Sequence, residues 1–249
     1  VTDHPKTSGW PERTWRNLNG PDIARGIVPG AQPYVMYGER VFSGSTDESV
    51  LWETGMPFKL TVPNNVALTV TASSSSDYGK RLRLMYLDAD LISRSVVLTL
   101  GATPPVSPSV RAVETMYSLD GELVGSATAA NGGATYALIP AGSIKFDAAM
   151  RRVPAGKRLI VHSVYAGSTS GTSAAKANVE LVASFFNGDS FADSGYLLTY
   201  AAVVLQDNTV TLGMSSPIAI PAGEWVGFVA SCDKGADISA GLFGWLEDI

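Results

Sequence analysis

Residues 68–106 read LTVTASSSSD (68–77), YGKRLRLMYLDADL (78–91) and ISRSVVLTLGATPPV (92–106). Leu68, Val70 and Ala72 alternate with threonines, and Leu82, Leu84 and Tyr86 alternate with Arg81, Arg83 and Met85. Period two is the pattern of half-buried strands. Ser73–Ser76 with Asp77 make a small polar loop between them. Asp88-Ala89-Asp90 predicts a hairpin turn, because short acidic side chains bond nearby backbone groups. Val96–Leu100 then returns as a third strand. The expectation is one three-stranded antiparallel sheet, a scaffold without a reaction centre.

The serine run ending in Asp77, the segment Arg83–Ala89 and the step from Leu98-Thr99-Leu100-Gly101 to Pro104-Pro105-Val106 together resemble tailed-bacteriophage virion structural proteins. In that group a Ser-rich turn precedes a Tyr-Leu-Asp-Ala hairpin, and a Leu-x-Gly…Pro-Val step follows. Here that step carries one extra residue, Thr103-Pro104-Pro105-Val106. The resemblance implies a virion component, assembled in the host cytoplasm, with no catalytic residues.

The chain has 249 residues, 45% of them apolar and 16% charged, with net charge -5. That is enough to bury one large β domain or two of ordinary size, and too apolar for a disordered chain. The acidic balance argues against nucleic acid as a partner, since phosphate binding needs clustered Lys and Arg. No apolar run has the length of a membrane-spanning helix. One cysteine, Cys232, excludes an internal disulfide. The polar opening VTDHPKTSGWPERTW does not resemble a signal peptide, and a start at Val1 fits removal of an initiator Met or a maturation cleavage.

Residues 1–56 combine dense Gly and Pro with Trp10, Trp15, Tyr34, Tyr37, Phe42 and Trp52. Gly and Pro at this spacing break helices and central strands, while aromatics are costly to leave in water. Packing on their own domain or on a neighbouring subunit would satisfy both. The expectation taken here is an extended arm whose Trp10, Trp15, Tyr34 and Tyr37 contact a neighbour. Two lobes follow, residues 57–150 and 151–249. Three Pro-Ala-Gly corners, at 140–142, 154–156 and 221–223, mark sharp turns between strands. The predicted fold is all-β: two antiparallel β-sandwich, jelly-roll-like lobes behind an extended N-terminal arm, with only short helical possibilities near Asp147–Arg152.

Candidate chemistry is sparse. His4 and His162 lie far apart in sequence, and no Ser-His-Asp or Cys-His pattern or zinc spacing is present. The pairs Asp88/Asp90, Asp120/Glu122 and Asp233/Asp237 offer oxygens for Ca²⁺, but without the dense ligand loop such an ion needs; loop capping is the plainer reading. Arg151-Arg152 with Lys157-Arg158 reads as a solvated basic face or a contact for an acidic partner, and Trp225 and Trp245 as core or interface residues rather than sugar platforms. No catalytic, cofactor or metal residue is expected. The functional expectation is a non-enzymatic virion structural protein (capsid decoration, head fibre base, or tail or collar component) whose partners are itself and other virion proteins. The alternative is a module that binds a carbohydrate or host receptor, such as a host surface glycan.

Overall fold

The structure is a computed structural model that describes residue 23 and residues 28–44, 46–51, 65–148, 150–170, 175–184 and 197–249. In chain order the strands are β1 (Ala31–Phe42), β2 (Thr46–Val50), β3 (Val66–Ala72), β4 (Arg81–Leu87), β5 (Ser93–Thr99), β6 (Val106–Val110), β7 (Ala112–Ser118), β8 (Ala127–Asn131) and β9 (Ala134–Ile139). They continue with β10 (Lys145–Asp147), β11 (Met150–Arg152), β12 (Lys157–Thr169), β13 (Lys176–Ser184), β14 (Leu197–Gln206), β15 (Thr209–Ile220), β16 (Trp225–Cys232) and β17 (Ala236–Asp248). All pairings are antiparallel, and the predicted all-β, two-sandwich fold is what is observed. The short helical possibility near Asp147–Arg152 is instead strand β11.

β3 to β10 form one sandwich, with sheet orders β10-β7-β4-β5 and β6-β3-β8-β9. Leu68 and Val70 from one sheet and Leu82, Leu84, Met116 and Phe146 from the other share its core. β4 and β5 make the hairpin predicted at Asp88, whose Oδ1 accepts from the amides of Asp90 and Ile92, both at 3.0 Å. The expected three-stranded sheet is corrected: β3 does not pair with β4 but lies in the opposite sheet. The serine run is the crossing between layers. A 3-10 turn at Ser75–Asp77 buries the Asp77 carboxylate, which accepts from Val124 N at 2.8 Å, Gly125 N at 2.7 Å and Lys80 Nζ at 2.9 Å. Ser73 Oγ accepts from Ser126 N at 2.8 Å. The Ser-rich turn is thus pinned to the loop at 122–126.

The second sandwich pairs β1-β17-β12-β15 against β16-β13-β14, with both β2 and β11 on the free edge of β16. Those last two are one strand position. Val50 faces Val229, Leu51 N donates to Phe228 O at 2.9 Å, and Met150 faces Gly227. Leu51 and Met150 therefore occupy consecutive rungs, and residues 52–149 are inserted between them. Counting β2 and β11 as one strand, the sheet orders are first-eighth-third-sixth and second-seventh-fourth-fifth, the arrangement of a jelly roll. An insertion whose two ends lie side by side leaves the host sheet undistorted.

The expected arm, residues 1–56, is corrected over its described part. β1 pairs with β17 from Ala31↔Glu247 to Phe42↔Ala236, and Tyr34, Met36 and Phe42 enter the jelly-roll core. Pro33 does not prevent this, because β1 is an edge strand and needs no ladder donor on its outer side. The first lobe accordingly spans β3–β10, and β1 and β2 belong with the second. The Pro-Ala-Gly corners are turns as predicted, with Gly142, Gly156 and Gly223 at φ +74, +69 and +82. Proline takes their first position, since its carbonyl accepts from the residue three on.

The lobes meet on an apolar seam: Leu87, Leu91 and Ala112 against Met150, Val182, Trp225 and Val229. Arg152, expected on a solvated face, is buried here. Its guanidinium lies 5.7 Å from the Trp225 ring centroid, and its Nε donates to Gly223 O at 2.7 Å.

Two outcomes are expected. Deleting residues 52–149 and joining Leu51 to Met150 leaves a jelly roll that unfolds cooperatively by circular dichroism, with a lower Tm because the seam is exposed; a molten product would refute the splice. Asp77→Ala leaves buried amides without an acceptor and costs about 1.5–3 kcal/mol for each hydrogen bond to a charge that is not replaced by water. Burial pushes the Asp77 carboxyl up, but the two amides and Lys80 outweigh it and hold the carboxyl below its ordinary value. Its contribution is therefore present above the unfolded carboxyl's pKa, about 3.9, and is lost as pH falls through the lower folded value. Acid unfolding midpoints of the native chain and the variant should converge there.

Candidate assembly surface

The sheet β1-β17-β12-β15 turns one face into the jelly-roll core and the other outward. On β1 the alternation sends Tyr34 and Met36 in and leaves Val35, Tyr37 and Val41 outside at 52%, 39% and 57% exposure. Across β17 the outward positions are Asp237, Ser239, Gly241, Phe243, Trp245 and Glu247. On β12 the phase changes at a bulge, because both neighbouring registers skip His162. Leu159 and Val161 point inward before it, Val164 and Ala166 after it. The bulge therefore puts both Ile160 and Tyr165 on the outer face, with His162 exposed between them. Opposite the bulge, a Cβ on Gly244 would lie 2.0 Å from the Ile160 carbonyl oxygen, so that position takes only glycine.

Tyr165, Gly241 and Tyr37 face one another across three strands. A Cβ on Gly241 would meet Tyr165 Cζ and Oη at 2.2 Å, so the Tyr165 ring tip rests directly on the glycine. The Tyr37 ring is 6.5 Å away at an interplanar angle of 23°. Its hydroxyl donates to Glu39 Oε2 at 2.6 Å, and burial together with that bond raises its pKa above the usual phenol value. Beside this pair, His162 packs edge-on to Phe243 at 6.5 Å and lies 6.2 Å from Trp245. The far end is closed: Ile23, 2% exposed, packs with Val28 and Ala31 on Ile160 and Trp245. The arrangement is an apolar and aromatic strip across β1, β17 and β12, covered at one end.

Of the four interface residues expected from sequence, Tyr37 lies on this strip. Tyr34 points the other way, into its own core, where Arg151 stands 5.6 Å from its ring centroid and burial pushes the phenol up to about 12. Trp10 and Trp15 lie outside the described residues, as does His4. Sequence reasoning passed over Val35, Tyr165, Gly241 and Phe243. The outward alternation Gly241-Phe243-Trp245 was a usable signal; Tyr165 was not, because the bulge breaks the period.

The acidic pairs serve loops. Asp88 also accepts from Arg94 Nε at 2.9 Å, Asp120 takes Arg81 through both oxygens, and Asp233 Oδ1 accepts from Lys176 N at 2.8 Å. Arg81 holds the Asp120 carboxyl down at about 2. Among the described residues, no three His, Cys, Asp or Glu side chains stand together as a metal site.

Gly241→Ala is expected to destabilise the chain by about 1–3 kcal/mol, the usual cost of overpacking. Adding Tyr165→Ala should restore part of that loss and not all, since the Met36 carbonyl oxygen also lies 2.7 Å from the new Cβ. Thermal unfolding of the two single variants and the double variant measures the coupling, and additivity would show that Tyr165 does not rest on Gly241.

No family model matches the chain, and no curated protein matches it. Among solved structures it is similar to a structure of infectious bursal disease virus Gx strain, at 9% identity over 88% of this chain and 71% of that one, with TM-score 0.18. It is also similar to the VP2 subviral particle of infectious bursal disease virus, at 9% identity over 93% and 86% of the two chains, with TM-score 0.12.

Proposed function

We propose that this chain is a non-enzymatic structural protein of a virus particle, acting by association with copies of itself and with other virion proteins. The observation that carries the reading is the aromatic strip on the outside of a jelly roll. A contiguous apolar patch on a sheet face is the mark of a protein interface. The jelly roll is, by fold-level analogy, an architecture of capsid proteins and lectins. The sequence resemblance narrows the particle to a tailed phage, as a capsid decoration, head fibre base, or tail or collar component made in the host cytoplasm. The motifs behind it belong to the inserted sandwich: the pinned Ser turn, the β4–β5 hairpin and the step into β6. A net charge of -5 disfavours nucleic acid as the partner.

A second reading rests on the Tyr37–Tyr165 pair. Two nearly parallel rings over a glycine offer a stacking platform for a sugar, the chemistry of a host-glycan module.

Sedimentation equilibrium of the full chain should show concentration-dependent association, weakened at least tenfold by Val35→Asp with Val41→Asp, and labelled antibody should decorate intact particles. A monomer at all concentrations, absent from particles, would sink the assembly reading. Binding to a glycan array that Tyr165→Ala abolishes would favour the second reading instead.

A further inference from the structure

We propose that two copies of this chain pair through the outer edge of β1, antiparallel about a two-fold axis at Gly38, so that their β1-β17-β12-β15 sheets join into one of eight strands. The inference rests on the assembly reading and names the edge through which copies meet.

β1 ends its sheet. β17 pairs with all twelve of its residues without a break in register, and among the described residues no strand pairs with its other edge. A long, regular edge is a template for another chain, and sheets ordinarily blunt such edges with proline, bulges, charge or shortness. The other described edges follow that rule. β15 carries Pro217 and β6 carries Pro108, and the β13–β14 and β8–β9 registers break at bulges. β2, β10 and β11 have five, three and three residues, and β5 begins with exposed Ser93, Arg94 and Ser95. β1 instead runs unbroken, with Val35 and Val41 exposed along it.

The backbone fixes the register. Asp248 N donates to Gly30 O at 3.0 Å, so by the alternation of an antiparallel ladder the even-numbered residues of β1 bond to β17. The odd-numbered ones turn their N–H and C=O to the outer edge. Ala31 N already donates to Val28 O at 3.3 Å, and Pro33 has no donor. The edge donors that follow, at positions 35, 37, 39 and 41, are symmetric about Gly38. A two-fold axis there sets 35 against 41 and 37 against 39, and each N–H meets a carbonyl of the second copy.

The side chains agree with that register. Residues opposite one another share a face, so Val35 meets Val41 of the second copy on the outer side. Tyr37 meets Glu39, the phenol and carboxylate that each copy already joins at 2.6 Å. On the axis Gly38 opposes Gly38 in a pair without hydrogen bonds, where Cα atoms approach to about 4.5 Å and no Cβ stands between them. Shifting the axis to Tyr37 opposes Pro33 to Val41 and loses a bond. Shifting it to Glu39 opposes two carboxylates, which is destabilising. With the axis at Gly38 the aromatic strips of the two copies continue into one face.

Amide-resolved hydrogen exchange on the native full chain tests the edge, in samples below and above the concentration at which sedimentation shows association. Met36 and Gly38 should stay protected in both, because they bond to β17. Val35, Tyr37 and Val41 should exchange fast when dilute and more slowly by about tenfold or more when concentrated. Association that leaves those three amides fast would overturn edge pairing and leave the assembly reading standing. Slow exchange already in a dilute monomer would make the chain itself the occupant and also overturn the pairing. No association at any concentration would overturn both. Cross-linking tests the register. Residues opposed in a hydrogen-bonded pair lie about 5.5 Å apart at Cα, within disulfide range, and Cys232 is buried. Within one chain positions 35 and 41 are about 20 Å apart. Val35→Cys combined with Val41→Cys should therefore give covalent pairs under mild oxidation, and either substitution alone should not. Covalent pairs from a single variant, or none from the double one, would end the proposal.

Discussion

The edge of β16 is the constraint on which the rest of the molecule depends. Seven of its eight residues are buried, and on one side it pairs with β13 over its whole length. Its other edge receives β2 at the Val229 end and β11 at the Trp225 end, with Leu51 and Met150 on adjacent rungs. Because an antiparallel edge fixes register by backbone hydrogen bonds and not by chain continuity, the two segments act as one strand although a whole sandwich separates them in sequence. The jelly roll closes only if the inserted sandwich returns the chain to the place it left. The seam around Trp225 then fixes the orientation of the insertion.

The same economy of position governs the outer sheet. β17 turns Ile238, Ala240 and Leu242 into the core and Gly241, Phe243 and Trp245 to the outer face of the sheet, where Trp245 is covered by Ile23. Its glycines at 241 and 244 admit, respectively, the Tyr165 ring and the bulged backbone at Ile160. Core packing and surface chemistry are coupled through one strand: the bulge that keeps Val164 and Ala166 in the core is what places Tyr165 on the strip. A surface built this way is held by the fold and needs no loop to order it.

What the sequence disclosed was local. The β4–β5 hairpin and the three Pro-Ala-Gly corners depend on a few neighbouring residues, and turn chemistry reveals them. Sheet membership was not legible, because β3 and β4 are adjacent in sequence with the right alternation, and nothing local tells a crossing from a hairpin. The Asp77 contacts that make the crossing lie more than forty residues away. β1 was hidden for a different reason: Pro33 and Gly38 disqualify a central strand but not an edge strand, and edge status is a property of the assembled sheet. Tyr34 and Tyr37 were rightly read as needing contact, but period two divides them, one to the core and one to the strip. The splice left no local mark, since Leu51 and Met150 are neighbours only through β16.

The two lobes also answer to pH in opposite senses. In the inserted sandwich, Asp77 is a buried carboxylate whose charged form is held by amides and Lys80, and the stability it contributes is lost as pH falls. In the jelly roll, Glu224 follows the third Pro-Ala-Gly corner and is 7% exposed, and its Oε2 has no hydrogen-bond partner among the described residues. Burial raises its pKa. A raised folded value means that its contribution is fully present below the unfolded pKa and is lost as pH rises through the folded one. Acid therefore loosens the Ser-turn crossing while relieving the burial of Glu224, and neutral pH tightens the crossing while charging that carboxyl. Substituting Glu224 by Gln removes that charge and should stabilise the chain at neutral pH but not in acid.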